Sequence, residues 1–184
     1  MSEDGQTSIR VVDFDPRWRE DFAQLNIEWL ERWFKVEVVD RSVLTNPESA
    51  ILAKGGRILF AVDADGRAVG TVALLRHDDG RIELTKMAVA PETRGLGVGR
   101  KLAEAALVVY REMNGGELFL ESNDRLEAAV NLYESIGFRH VQPQSDSDYD
   151  ARTCSWSGAA KPLTRASRRL PLEVYGSDAH SLAP

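Results

Sequence analysis

The chain has 184 residues, of which 43% are hydrophobic and 28% charged, and its formal net charge at pH 7 is −6. That length and composition predict one globular domain with a sizeable core and exclude a disordered or fibrous chain. The acidic balance argues against a general binder of nucleic acid or anionic membranes, because both need a basic surface. The one cysteine, Cys154, excludes an intramolecular disulfide, and no apolar run approaches a membrane span, so we expect a cytoplasmic protein.

An aromatic stripe marks the first predicted helix. Residues 9–13 read as a β-branched strand, and Asp15 followed by Pro16 then supplies the N-cap and first residue of a helix that ends near Phe34. Apolar residues repeat on one helix face at spacings of three and four: Trp18, Phe22, Leu25, Trp29 and Trp33. We expect this stripe to be core, with the alternative that its C-terminal end also walls a substrate pocket.

The middle of the chain predicts a short helix and then three antiparallel strands. The helix covers residues 47–54, with Asn46 as its cap. The strands cover residues 57–62, 68–75 and 81–89, and Asp-Ala-Asp-Gly and Asp-Asp-Gly turns separate them. Turns this short between apolar runs indicate a meander.

The second half of the chain alternates helix and strand. A capping box of Asp124 and Glu127 opens its second helix, and Gly137 closes it. The predicted elements are helices over 98–113 and 124–136 and strands over 117–121, 138–141 and 149–156. The domain is therefore expected to span residues 8–160. Residues 161–184 are rich in helix breakers and basic at their start, which predicts a loosely held extension that is either solvated or a partner-binding arm.

A glycine-rich loop between a strand and a helix is the most informative segment. Residues 87–102 read Met-Ala-Val-Ala-Pro-Glu-Thr-Arg-Gly-Leu-Gly-Val-Gly-Arg-Lys-Leu. Glycines let a backbone approach an anion closely, a helix N-terminus offers free N–H groups, and Arg94 and Arg100 can add charge-assisted contacts. The pattern favours a phosphate site over a tight turn alone. A Walker loop is excluded because no Gly-Lys-Ser/Thr follows, and the dinucleotide fingerprint Gly-x-Gly-x-x-Gly fits poorly.

With Arg94, Gly97 and Gly99 in these positions, the chain resembles the GNAT superfamily of N-acetyltransferases, whose acetyl-CoA signature is Arg/Gln-x-x-Gly-x-Gly/Ala after a strand. The resemblance continues in order through Leu-Phe-Leu-Glu-Ser-Asn at 118–123 and Ala-Val-Asn-Leu-Tyr-Glu-Ser-Ile-Gly-Phe at 129–138, and it covers residues 8–157. It implies an α/β (α+β) fold with a mixed, mostly antiparallel sheet of six or seven strands, splayed in the middle and flanked by about four helices.

The same resemblance implies where acetyl-CoA, the acetyl donor, binds. Main-chain groups of Met87 and Val89 would pair with the pantetheine arm, the glycine loop would hold the pyrophosphate, and Asn123 would contact the arm unless it only caps a helix. The expected donor contacts are Met87, Ala88, Val89, Arg94, Gly95, Leu96, Gly97, Val98, Gly99, Arg100 and Asn123.

Acetyl transfer to an amine needs a base and an acid. An alkyl amine with a pKa of about 10.4 is almost wholly protonated at neutral pH, so a base must remove a proton before the nitrogen attacks the thioester. Glu83 falls where several family members place a catalytic glutamate; its alternative is an ion pair with an arginine or lysine of the neighbouring strand. Tyr133 falls where the family often keeps the proton donor for the leaving thiolate; its alternative is a core residue.

Direct attack is therefore expected, rather than a covalent intermediate on Cys154. Surface or structural roles are expected for the three histidines, and no metal site is predicted from them.

The acceptor amine is the least defined part of the prediction. In GNAT proteins the segment that corresponds to residues 34–41 usually shapes the acceptor pocket; here its acidic and basic side chains could meet both ends of a zwitterion. We expect a small amino acid-like or polyamine-like acceptor, bound by Trp29, Trp33 and Glu37. A protein N-terminus or lysine is the runner-up, and a non-catalytic sensor of acetyl-CoA is the alternative from another class. Homodimers are common among proteins with this resemblance.

Overall fold

The computed structural model describes residues 8–33, 38–123, 126–141 and 153–158. Its strands are β1 (Arg10–Asp13), β2 (Arg57–Val62), β3 (Ala68–Arg76), β4 (Ile82–Val89), β5 (Leu118–Asn123), β6 (Arg139–Val141) and β7 (Thr153–Gly158). Its α-helices are α1 (Arg19–Trp33), α2 (Val38–Thr45), α3 (Pro47–Ala50), α4 (Val98–Glu112) and α5 (Glu127–Ile136). Single 3-10 turns cover Pro16–Trp18, Leu52–Lys54 and Pro91–Thr93.

Within these residues, seven strands form one sheet in the order β1-β2-β3-β4-β5-β7-β6. Every neighbouring pair is antiparallel except β4 and β5, which are parallel. The predicted mixed, mostly antiparallel sheet and the predicted meander of β2 to β4 are confirmed.

The sheet is splayed between β4 and β5. Only Ile82 pairs with Leu118 and Glu83 with Phe119, and the Ile82 N–H donates to the Glu117 carbonyl at 2.9 Å. In the described part of the chain no pairing of β4 with β5 follows, so a gap opens toward the C-terminal ends of both strands. The splay implied by the resemblance is therefore confirmed.

Two apolar clusters cover the two faces of the sheet. On one face, which we call the α4 face, alternate residues of β2 and β3 pack with α4: Leu59, Ala61, Val72 and Leu74. On the other, the α1 face, Ile58, Phe60, Val62 and Ala73 pack with Phe22 of α1. Because both faces are covered, β2 and β3 are apolar over most of their length.

The aromatic stripe of α1 is confirmed as core at its N-terminal end. Trp18 and Phe22 are buried against Phe60, with ring centroids 5.5 Å and 6.4 Å away. Leu25 packs against the α4-face cluster instead.

One helix more than expected is present, because α2 lies in the segment predicted to connect the first two helices. Its sequence, Val-Val-Asp-Arg-Ser-Val-Leu-Thr, is rich in β-branched residues of weak helix propensity. Leu44 is nevertheless fully buried in the α1-face cluster, so packing stabilises the helix. Asp40 and Arg41, expected in a loop, belong to this helix.

Of the two predicted N-caps in the first third of the chain, one is confirmed. The Asp15 carboxylate accepts a hydrogen bond from the Arg17 N–H at 2.9 Å. Asn46 precedes α3, but its side chain makes no capping bond and donates to the Ser42 carbonyl at 3.2 Å instead.

The predicted capping box at α5 is wrong. The helix begins at Glu127, with Leu126 in the N-cap position and no side-chain cap. Glu127 is thus the first helical residue rather than the third, and the Leu126 N–H donates to the Asn123 carbonyl at 3.0 Å in a preceding turn. Asp124 lies outside the described residues.

The ends of the domain are described only in part. The last strand covers Thr153–Gly158, displaced from the predicted 149–156, whose first residues lie outside the described part. The predicted extension over 161–184 lies outside it as well. None of the described helices is long and apolar enough to cross a membrane.

Candidate active site

The segment after β4 is anchored before the glycine loop begins. The Ala90 N–H donates to the Val69 carbonyl of β3 at 2.9 Å. The hydroxyl of buried Thr93 donates to the Ala90 carbonyl at 3.1 Å, which closes the 3-10 turn. The loop therefore starts from a fixed point at the C-terminal end of β4.

The loop presents the open N-terminus of α4. Gly97 is the N-cap, with φ 78 and no side-chain capping bond. Lys101 donates the first backbone bond of the helix, to the Gly97 carbonyl at 3.0 Å, so the N–H groups of Val98, Gly99 and Arg100 precede it. A Cβ built on Gly97 meets nothing within 4 Å. The predicted strand–loop–helix is confirmed, and its backbone can be reached by an anion.

The loop tip carries an exposed apolar side chain between two glycines. Leu96 is 59% exposed. Gly95, with φ 80, also has open space where a Cβ would stand.

Both arginines of the loop have protein partners and remain exposed. Arg94 donates from Nε to the Val89 carbonyl at 3.2 Å. Arg100 donates to the Ser135 hydroxyl of α5 at 2.9 Å, and Glu104 lies 3.8 Å away. Two cationic side chains thus flank the helix N-terminus.

A β-bulge divides β4. The register of β3 with β4 shifts by one residue, so Lys86 and Met87 lie opposite a single residue of β3. Lys86 has φ 50, in the left-handed region that side chains rarely adopt. The extra residue reverses the alternation, so buried Ala88 shares the α1 face with Glu83.

The end of β4 directs main-chain groups into the gap. Successive residues of a strand direct their N–H and C=O groups to opposite sides. Because Ala90 bonds to β3, the Val89 N–H points away from β3, toward the side from which β5 has diverged.

Glu83 lies at the closed end of the gap, opposite Leu75 of β3 and Phe119 of β5. Its side chain is 19% exposed, and its Oε2 lies 2.8 Å from Nε2 of His77. The partner is therefore a histidine of the β3–β4 turn, not an arginine or lysine of a neighbouring strand. From the sequence we expect only a surface or structural role for His77. The signal that could have found it is the hairpin register, which places it two residues beyond Leu75 on the same face.

A second carboxylate that the sequence did not single out lies near Glu83. Glu121 follows Phe119 by two residues on β5. Burial raises the pKa of Glu121, the charge of Glu83 raises it further, and His77 lowers it. The three groups therefore interact electrostatically across the strands.

Tyr133 is buried on α5 within the α4-face cluster. Its ring meets Phe138 edge to face at 6.1 Å. Burial raises the pKa of Tyr133 to about 12, so its hydroxyl keeps its proton at neutral pH. A Cβ on Gly99 would lie 3.7 Å from Leu132, which places α5 beside the N-terminus of α4.

Glu83 and Tyr133 belong to opposite faces of the sheet. Glu83 points to the α1 face, as its pairing with Leu75 shows, whereas Tyr133 belongs to the same buried cluster on the α4 face as Leu84, Leu118 and Leu120. An intact sheet would separate them. Because β4 and β5 separate after Glu83 and Phe119, a molecule bound in the gap between them can contact groups from both faces of the sheet.

Comparisons with known proteins agree with this geometry. The model of the acetyltransferase (GNAT) family matches residues 15–138. The chain belongs to that family. It is 31% identical over 147 residues to an uncharacterized N-acetyltransferase of Schizosaccharomyces pombe, a match that covers 78% of this chain and 89% of the yeast protein.

Two further comparisons concern the enzyme class and the fold of this GNAT protein. It is 37% identical to the human N-acetylaspartate synthetase over 87 residues, which is 47% of this chain but only 29% of that protein. The crystal structure of a GNAT acetyltransferase from Staphylococcus aureus Mu50 has a TM-score of 0.72 at 24% identity, and the match covers 82% of this chain and 98% of that one. This GNAT protein is an acyltransferase, and acetyl-CoA is the donor general to its family.

The remaining predicted site residues of this GNAT chain lie at the end of β5, on α1 or outside the described part. Asn123 ends β5 and is 8% exposed. It does not cap α5, whose N-cap is Leu126. Trp29 is half-buried on α1, Trp33 is the last residue of that helix, and Glu37 lies outside the described residues. Among the described residues, no three His, Cys, Asp or Glu side chains are grouped to hold a metal ion.

Proposed function

We propose that the protein transfers the acetyl group of acetyl-CoA to the primary amine of a small amino acid-like molecule by direct attack, with Glu83 as the base and Tyr133 as the acid. The observation that carries this proposal is that the two groups lie on opposite faces of the sheet, Glu83 where β4 last pairs with β5 and Tyr133 in a buried cluster that includes residues of both strands. The amine would approach from the α1 face and the sulfur would leave toward the α4 face.

The donor would lie along β4. The N–H groups of the α4 N-terminus, with Arg94 and Arg100 beside them, suit a pyrophosphate. The outward N–H of Val89 suits an amide of the pantetheine arm. Six residues separate Val89 from Glu83, roughly 20 Å of strand, so phosphate and reaction centre occupy opposite ends of the gap.

The donor supplies a thioester carbonyl. The Glu83 carboxylate takes one proton from the acceptor ammonium, the freed lone pair forms the C–N bond, and the C–S bond breaks. A thiol has an ordinary pKa of about 8.5, well below the value of about 12 that burial gives Tyr133, so full proton transfer from the hydroxyl is uphill. Tyr133 would therefore act by donating a hydrogen bond to the thiolate, and the thiolate would take up the second proton, which the acylated nitrogen releases as it becomes an amide.

Two features favour a small cationic acceptor with an amino acid character. The carboxylates of Glu83 and Glu121 at the closed end of the gap favour an ammonium group over a neutral amine. The name of the human N-acetylaspartate synthetase, to which 47% of this chain is similar, specifies an acetylated amino acid as that protein's product.

Titration calorimetry with acetyl-CoA and with CoA, followed by thiol release against single amino acids, polyamines and short peptides, tests this function. We expect saturable binding of both cofactors and turnover with amino acids. Binding without thiol release on any amine contradicts the enzyme mechanism in favour of a sensor. Turnover on peptides alone contradicts the small acceptor.

Tyr133→Phe tests the acid. We expect kcat to fall roughly 100-fold, because the thiolate loses its hydrogen-bond donor, while the Kd of acetyl-CoA stays within about threefold. Tyr110→Phe is the matched control: the Tyr110 hydroxyl donates to the Gly116 carbonyl at 2.8 Å, away from the gap. Full turnover by Tyr133→Phe would show that another group serves the thiolate.

A further inference from the structure

His77 is held in place by the turn that joins β3 to β4. Its N–H donates to the Arg81 carbonyl at 2.9 Å, and its carbonyl accepts from the Gly80 N–H at 2.9 Å. Its ring lies 5.2 Å from the ring of Phe119 on β5. Backbone and ring are therefore fixed by two different elements at the closed end of the gap.

The contact between His77 and Glu83 has a defined direction. An ionised carboxylate only accepts hydrogen bonds, so the proton between Nε2 and Oε2, 2.8 Å apart, belongs to the histidine. This bond engages one lone pair of Oε2 and none of Oε1, so Oε1 is the oxygen better placed to take a proton from a substrate.

The other charged groups near His77 leave this pair intact. Asp79 is bound by Arg81, through the backbone N–H at 2.9 Å and through Nε at 2.7 Å, and the Arg81 guanidinium lies over the Phe119 ring at 4.7 Å. Glu121 of β5 interacts with both members of the pair, and its charge repels Glu83. Two further charged residues adjoin His77 along the chain: Asp78, in the turn itself, and Arg76, whose guanidinium donates to the Met113 carbonyl at 2.7 Å. A hydrogen bond from His77 opposes the repulsion that would move the Glu83 carboxylate away.

We infer that His77 is a positioning residue for Glu83: its ring N–H fixes the carboxylate at the closed end of the gap so that Oε1 takes the proton of the acceptor amine. The inference rests on the proposed function of Glu83 as the base. His77 is 35% exposed and acts through Glu83 rather than on the substrate.

The test compares His77→Ala and His77→Gln in the wild-type and Glu83→Gln backgrounds, with saturating acetyl-CoA and an amine found to be a substrate. His77→Ala is expected to lower kcat roughly 10- to 100-fold, because a misplaced base loses its alignment, while the KM of acetyl-CoA is unchanged. His77→Gln, which offers an amide N–H near the position of Nε2, is expected to restore most of kcat. In the Glu83→Gln background, His77→Ala is expected to have no further effect.

The results distinguish a failure of the positioning role of His77 from a failure of the proposed base, Glu83. Full kcat in His77→Ala, a His77→Gln variant as slow as His77→Ala, or additive losses with Glu83→Gln would each overturn the positioning role. Full kcat in Glu83→Gln would overturn the role of Glu83 as the base.

His140→Ala, on β6 at the far edge of the sheet, is the control for replacing a histidine. If His77→Ala does not fold, the comparison of His77→Gln with Glu83→Gln still decides: a His77→Gln variant that folds and loses as much kcat as Glu83→Gln overturns the inference.

Discussion

The position of Glu121 makes its ionised carboxylate lower the stability of the folded protein at neutral pH. Its pKa is raised above the ordinary 4.5, first by burial and then by Glu83. The folded state therefore binds the Glu121 proton more tightly than the unfolded state does. Stability is unaffected by this group below about pH 4.5, declines as pH rises through the raised value, and stays reduced at neutral pH.

Glu121→Gln is accordingly expected to raise Tm at pH 7, on the order of 1–2 °C, because solvent screens a partly exposed carboxylate. The gain is expected to vanish below about pH 4.5. Thermal unfolding at several pH values measures it, and Glu117→Gln, an exposed carboxylate just before β5, is the control. The same variant should raise the KM of the acceptor if Glu121 attracts the ammonium. A gain in Tm that persists at pH 4 would contradict the assignment of the effect to charge.

At the scale of single residues, the sequence identified only some members of the candidate site. Glu83 and Tyr133 were named because a family pattern marks their positions. His77 and Glu121 have no such mark: their closeness to Glu83 depends on which residues face each other across β3, β4 and β5, and that register follows from folding rather than from local spacing.

At the scale of elements, the glycine loop offers a test that separates backbone strain from ligand contact. Gly97 has φ 78 and Gly66, in the β2–β3 turn, has φ 80, and a Cβ on either meets nothing within 4 Å. Gly97→Ala and Gly66→Ala therefore impose the same left-handed strain, about 1–2 kcal/mol each in the free energy of unfolding. Only the Cβ at Gly97 would stand at the open N-terminus of α4.

We expect denaturant unfolding to give similar stability losses for the two variants, and calorimetry to show a Kd for CoA at least tenfold weaker for Gly97→Ala alone. Equal affinities in the two variants would mean that the loop does not contact the donor. Loss of affinity in Gly66→Ala would mean that strain itself weakens binding.

Elements with strong local signals were predicted well, and those fixed by packing were not. The strands of the meander lie within one residue of their predicted bounds, because apolar runs and Asp-Gly turns are local signals. The helix α2 was missed because its β-branched sequence favours a helix only once Leu44 is buried. The start of α5 was misplaced because Asp124 and Glu127 have the spacing of a capping box, whereas the helix begins at Glu127 itself.

For the whole molecule, the splay of the sheet could be inferred only from the family resemblance. Hydrophobic periodicity predicts that β4 and β5 exist, but both are apolar enough to pair along their full length. They diverge after Glu83 and Phe119, and the bulge at Lys86 and Met87, further along β4, then changes which residues of β4 face each side. The gap is thus a property of how the two halves of the sheet meet.

That architecture predicts where a bound donor should protect the backbone. The amides of Ile82 and Glu83 lie where β4 is paired on both sides, whereas the Val89 N–H points into the gap. Hydrogen exchange at short labelling times should slow over residues 86–100 and at the end of β5 when acetyl-CoA is added, and should change little at residues 82–83. At 100 times Kd the ligand stabilises its site by about 2.7 kcal/mol, so local openings that release it should slow about 100-fold. CoA without the acetyl group should give the same pattern, because loop and strand bind the shared part of the molecule. Protection confined to the closed end, or absent from residues 94–100, would place the donor elsewhere and remove the reason for Glu83 and Tyr133 to act on one substrate.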